Sequence, residues 1–120
     1  MEGNIVKDVN GKIKYKDKEY RLVFNINVME ELQEEYGSIE NWGKITDASN
    51  GEPNIKALRF GLTAMINEGI DMDNEEKGTD IKPLSPKQVG RMIAEIGMDQ
   101  AALALNKTVT ISTRSAEKNA

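Results

Sequence analysis

Apolar residues first alternate with polar ones and then settle into helical spacing, and the change of period falls between Tyr20 and Gly43. Leu22, Phe24 and Ile26 alternate with Arg21, Val23 and Asn25, which predicts a strand with one face on a core. Val28, Met29, Leu32 and Tyr36 then recur every three or four positions, the stripe of an amphipathic helix. Asn27 is its expected N-cap. Glu30, three residues on, is placed to close a capping box, and Glu30 and Glu31 both complement the positive end of the helix dipole. Gly37 ends that helix, and Ser38 supplies a hydroxyl to cap a shorter one running through Trp42.

Upstream, Lys12 to Tyr15 and Glu19 to Phe24 flank Lys16-Asp17-Lys18, so a hairpin with a short polar turn is expected, preceded by a turn at Asn10-Gly11. Residues 1–10 carry isolated Ile5, Val6 and Val9 and suit either a frayed arm or an edge strand. Downstream, the run from Gly43 to Asn54 is rich in Gly, Asp, Ser, Asn and Pro and reads as a loop. Asn54 caps a helix from Ile55 to about Asn67, with Ile55, Leu58, Leu62, Met65 and Ile66 on one face and Gly69 as its stop. Asp71 to Pro83 is acidic and turn-rich and reads as a solvated, mobile loop. Ser85, Pro86 and Gln88 then supply the cap, first helical residue and capping-box partner of a helix buried through Val89, Met92, Ile93 and Ile96. Gly97 closes it. Met98, Ala102, Leu105 and Val109 recur at intervals near 3.5 on a last helix, and the polar residues 111–120 are expected to be a disordered tail.

The predicted class is α+β and mostly α: an N-terminal hairpin of two or three strands packed on four or five short helices, within one small domain over residues 1–110. Composition narrows the chemistry that such a domain can do. The 120 residues include no Cys and no His, which removes disulfides, thiolate nucleophiles and the commonest metal ligand and general base. With 16 Lys+Arg against 20 Asp+Glu and a net charge of -4, phosphate backbones are repelled as a whole, so nucleic acid is not an expected partner. The N-terminus lacks the basic and apolar regions of a signal peptide, and no apolar run is long enough to span a bilayer; neither secretion nor a membrane partner is expected.

The remaining candidates for chemistry fail on geometry. A calcium loop starting at Asp71 would need Gly where Glu76 stands and a bidentate Glu where Lys82 stands, so Asp71, Asp73, Glu75 and Glu76 are read as solvated. Glu30, Glu31, Glu34 and Glu35 lie opposite Met29 and Leu32, where water is expected to keep them ionised with no pocket to raise a pKa. Gly61 and Gly90 sit inside helices at a cost of about 1 kcal/mol each against Ala, which suggests the close approach of another backbone. Ser49, Ser85 and Thr46 have no base to activate them. No enzyme activity, cofactor or metal site is therefore expected. Trp42 is assigned to the core, with an anchor for a partner as the alternative. The stripe of Met98, Ala102, Leu105 and Val109 suits either the domain's own core or a partly exposed face that zips against another subunit or a helical client.

Three blocks together resemble the tail assembly chaperone family of long-tailed bacteriophages and Gram-positive prophages. They are Asp17-Lys18-Glu19-Tyr20 running on through RLVFNINVMEELQEEYGSIENW to Trp42, IKALRFGLTAMINEGID from Ile55 to Asp71, and LSPKQVGRMIAEIG from Leu84 to Gly97. The likeness covers roughly residues 11–110 and is one of order and texture, since the family has no catalytic signature. It implies a non-enzymatic role in the bacterial host cytoplasm, coating the helical tape measure protein and keeping it soluble until the tail tube forms around it. It also implies that a frameshifted longer form engages the tail tube protein, and that copies self-associate along the client. The competing expectation is a small connector or completion protein that stays in the virion. On the chaperone reading, Met98, Ala102, Leu105, Val109 and Trp42 are the candidate partner-binding residues.

Overall fold

The computed structural model describes residues 11–47 and 51–119, with side chains to 113. Residues 1–10, and with them the arm or edge strand and the first half of the Asn10-Gly11 turn, lie outside the described residues. Two antiparallel strands, β1 (Lys12–Tyr15) and β2 (Lys18–Arg21), precede five helices among the described residues: α1 (Ile26–Tyr36), α2 (Ile39–Thr46), α3 (Ile55–Lys77), α4 (Pro86–Ile96) and α5 (Met98–Asn119). The class is α+β and mostly helical, as the periodicity predicts, although α3 and α5 are long rather than short.

The hairpin pairs Ile13 with Tyr20 and Tyr15 with Lys18 around a turn of two residues, not three. Lys16 and Asp17 both take positive φ, 50° and 64°, the conformation that makes a two-residue turn follow the twist of its strands. Ile13 is buried, and β1 lies against α5. Strand pairing stops at Arg21, short of the expected Phe24. Leu22, Val23 and Phe24 are all buried, so alternation breaks down: this stretch runs through the core, with Val23 N–H donating to the Met65 carbonyl at 3.3 Å. Ile26, expected on the buried face, is 75% exposed.

One cap and one helix end correct the expected boundaries. Asn25, not Asn27, caps α1 by accepting from Val28 N–H at 3.2 Å, which leaves Glu30 too far along for a capping box. The Asn27 amide goes instead to Glu68 Oε2 at 3.0 Å. Ser38 caps α2 as expected, accepting from Asn41 N–H, but the helix continues past Trp42 and Gly43 to Thr46. Trp42 and Thr46 are one turn apart and both buried, and Thr46 Oγ1 donates to the Trp42 carbonyl at 2.9 Å.

Asn54 caps α3 through Ala57 N–H at 2.9 Å. Gly69 does not end this helix, which runs on to Lys77 and stops at Gly78 in the left-handed conformation. Gly69 is instead the point of close approach: a Cβ there would lie 2.6 Å from the Arg21 carbonyl oxygen. The acidic run expected as a mobile loop is therefore helical as far as 77, with Asp73 held by Arg21 Nη2 at 3.1 Å. The connector after it is pinned by two asparagines. Asn74 bridges to the backbone N–H and C=O of Ile81, and Asn67 does the same for Leu84.

Helix α4 follows its signposts, with the full capping box between Ser85 and Gln88 and a stop at Gly97. Helix α5 does not end at Thr110 but continues through Asn119, so the tail expected to be disordered is helical over 111–119. No Gly or Pro follows Gly97, and a helix once nucleated propagates at little cost.

Gly61 and Trp42 set the tightest contact between helices. A Cβ on Gly61 would lie 2.5 Å from Trp42 Cζ2, so the close neighbour is an indole ring and not the backbone expected at this glycine. At Gly90 the neighbour is likewise a side chain, the Arg59 Cδ at an ordinary 3.5 Å. Gly61→Ala gains about 1 kcal/mol of helix propensity and loses about 1–3 kcal/mol by overpacking. A net loss of up to about 2 kcal/mol is expected in urea denaturation followed by Trp fluorescence; a gain in stability would show that the space beside Trp42 is free.

Candidate partner-binding groove

None of the five residues expected to bind a partner presents a free surface. Leu105 is 0% exposed and Ala102 is equally enclosed, while Met98 and Val109 are half-buried against the same cluster. The stripe is therefore the face by which α5 packs on its own domain, and it is widened by buried Ala101 and Thr108, which the 3.5-residue spacing does not include. Thr108 is buried without cost because its Oγ1 donates to the Ala104 carbonyl and accepts from Gly11 N–H. Leu105→Glu would place a charge in the core, so it does not leave the fold intact as partial exposure would have allowed. Trp42, 1% exposed, is core: its Nε1–H donates to the Ala57 carbonyl at 3.1 Å and its ring stacks on Phe24.

An open surface lies on another side of α3. A groove of about 540 Å³ runs along that helix, floored by Phe60, Thr63, Ala64 and Asn67 and walled by Glu31 of α1 and by Ile81, Pro83 and Pro86 around the connector. The floor residues recur at three and four, so they form one stripe of α3 distinct from the stripe of Leu58, Leu62 and Met65 that faces the core. Each wall has a stated support. Ile81 stands 58% exposed because Asn74 holds its backbone at both ends, and the Asn67–Leu84 pair fixes the root of α4. Tyr36 packs edge-on against Phe60, with ring centroids 5.6 Å apart, joining α1 to the floor.

Charge along the groove is uneven. Lys56 and Arg59 lie toward the start of α3, and Glu68 and Asp71 lie two to four turns later; Glu31 of α1 is close enough to Glu68 to interact with its charge. Glu68 is fixed by two amides, from Asn25 at 2.7 Å and Asn27 at 3.0 Å; these orient its carboxylate without cancelling its charge. Glu31 was expected to sit on a fully solvated face with its pKa undisturbed. Partial burial in the groove wall, followed by the charges of Glu68, Glu34 and Glu30, pushes its carboxyl above the ordinary carboxylate value. Helical spacing places Glu30, Glu34 and Glu31 together, but only the fold reveals Glu68, 37 positions away in sequence.

Among the described residues no three Asp or Glu side chains are grouped so as to hold a metal ion, and no helix is long and apolar enough to cross a membrane. The groove offers a floor of two apolar and two uncharged polar side chains between charged walls. Comparison with protein-family models, with curated proteins and with solved structures returned no match to this chain.

A raised carboxyl pKa means that the folded state holds the proton more tightly than the unfolded chain, so the ionised form opposes folding. That opposition is absent below about pH 4 and grows as pH rises through the folded pKa. Glu31→Gln is therefore expected to raise stability at pH 7 by a few tenths of a kcal/mol, screened as at any exposed site. Thermal melts at pH 7 and pH 3.5 check this: the gain should vanish at the lower pH, and an equal gain at both would assign it to something other than ionisation.

Proposed function

We propose that the chain is a non-catalytic tail assembly chaperone of a long-tailed bacteriophage or prophage, which acts in the bacterial host cytoplasm by binding the tape measure protein and keeping it soluble. One observation carries this reading. The three blocks that resemble the family converge on the groove: Glu31 comes from the first, Lys56 to Asp71 from the second and Pro86 from the third. A helical client with exposed apolar side chains needs an apolar surface that is itself well solvated, and the floor of Phe60 and Ala64 between charged walls has that character.

The binding face is accordingly the groove along α3, in place of the α5 stripe. Engagement of the tail tube protein through a frameshifted longer form, and self-association along the client, belong to the same proposal and rest on the family resemblance alone.

Co-expression with the neighbouring tape measure gene product tests it. The client is expected in the soluble fraction only when this chain is present, and Thr63→Arg, which fills the centre of the groove, should abolish the effect while the circular dichroism spectrum stays that of the wild type. A client that is equally soluble without this chain would overturn the reading. So would mass spectrometry finding the chain at stoichiometric copy number in purified virions, which would make it a structural component of the tail.

A further inference from the structure

The groove has a direction. Its charged residues change sign along α3, from Lys56 and Arg59 at one end to Glu68 and Asp71 at the other, and Glu31 of α1 lies near enough to Glu68 for the two charges to interact. Between the two ends lie the uncharged floor residues. Nine positions separate Arg59 from Glu68, about 14 Å of helix axis, too far for the two signs to neutralise each other by direct contact.

Both ends are held ready. At the basic end the Arg59 side chain runs beside Gly90 of α4, at ordinary contact distance. At the acidic end, neither Glu31 nor Glu68 is in an ion pair among the described residues, and Glu68 is fixed by two neutral amides. Lys56 is tied only loosely, 4.0 Å from Glu35, with both side chains largely in water.

We propose that the groove binds an amphipathic helix in one orientation, with basic side chains near the occupant's N-terminus facing Glu31, Glu68 and Asp71 and acidic side chains about nine residues later facing Lys56 and Arg59. The occupant then runs antiparallel to α3 and parallel to α1. Its dipole agrees with this direction, because its positive N-terminal end meets the carboxylates and its negative C-terminal end meets the cations. Apolar side chains between the two charged groups lie over Phe60 and Ala64, at the three- and four-residue spacing of the floor itself. The inference deepens the groove reading above: it says which segments of a helical client are bound and which way they lie.

Two synthetic helical peptides of identical composition test it, one with Lys near the N-terminus and Glu nine residues on, the other with these charges exchanged. Fluorescence anisotropy with the full chain at low salt is expected to show the first binding about five- to tenfold tighter, the effect of two exposed charge pairs. Raising the salt to about 0.5 M should erase that preference, because exposed pairs are screened over a few ångströms. The variant carrying Glu31→Lys and Arg59→Glu, which removes most of the charge at both ends while Glu68, Asp71 and Lys56 remain, should lose most of the preference. Equal binding of the two peptides by the wild type, binding of neither, or a preference that survives high salt would overturn the inference. If that happens while the tape measure protein still depends on this chain for solubility, the direction is wrong and the chaperone reading stands. If the preference is found but the client does not depend on the chain, the groove is directional for another helical partner and the chaperone reading falls.

Discussion

The fit of Trp42 against Gly61 is the contact on which the remaining architecture depends. An indole ring lies where any side chain at position 61 would stand, its N–H donates to the Ala57 carbonyl one turn earlier in α3, and its far face stacks on Phe24. Burying a residue of this size removes 150–250 Å² from water, about 4–6 kcal/mol as an upper bound on its apolar contribution. Three otherwise separate pieces of chain, the segment after the hairpin, α2 and α3, are thereby fixed to one point. The chain has one Trp and two Phe in 120 residues, and this contact uses the Trp and one of the Phe.

From that point the geometry of the open face follows. Phe24 leads directly into the Asn25 cap, so placing Phe24 also places the start of α1, and Asn25 and Asn27 then reach Glu68 on α3. At the other end of α1, Tyr36 meets Phe60 and Glu35 meets Lys56. The helix is thus laid antiparallel to α3 along one edge of the groove. The opposite edge depends on two asparagines of α3 that mimic backbone, each satisfying both the N–H and the C=O of a connector residue. A groove built from helix faces and a stapled connector is largely preformed, which lowers the ordering cost that a binding partner would otherwise meet.

Local signals in the sequence that act within one turn were legible, and those set by distant packing were not. Ser38, Asn54 and the Ser85–Gln88 box each cap where the side-chain chemistry says they should, and Gly37 and Gly97 stop helices at positive φ. Asn27 had the same credentials as Asn25; Asn25 takes the cap through its Oδ1, and both side-chain amides go to Glu68, a partner 41 residues beyond Asn27 that local pattern does not reveal. Gly69 had the credentials of a stop, but the Arg21 backbone needs its missing side chain, and the helix runs on to Lys77 with Asp73 paired to Arg21. The α5 stripe was correctly periodic, yet periodicity states that a face is apolar and not what covers it. Glu31 shows the converse: a polar residue on a plainly solvated stripe becomes the wall of a groove only because α3 lies beside it.

On the proposed reading a client touches the groove and not the outer face of α5. A photoreactive phenylalanine analogue placed at Thr63, on the groove floor, and separately at Leu103, 63% exposed on α5, interrogates the two faces during co-expression with the tape measure protein. Crosslinking to the client from position 63 and not from position 103 is expected. Crosslinking from position 103 alone would contradict the assignment and return the binding face to α5.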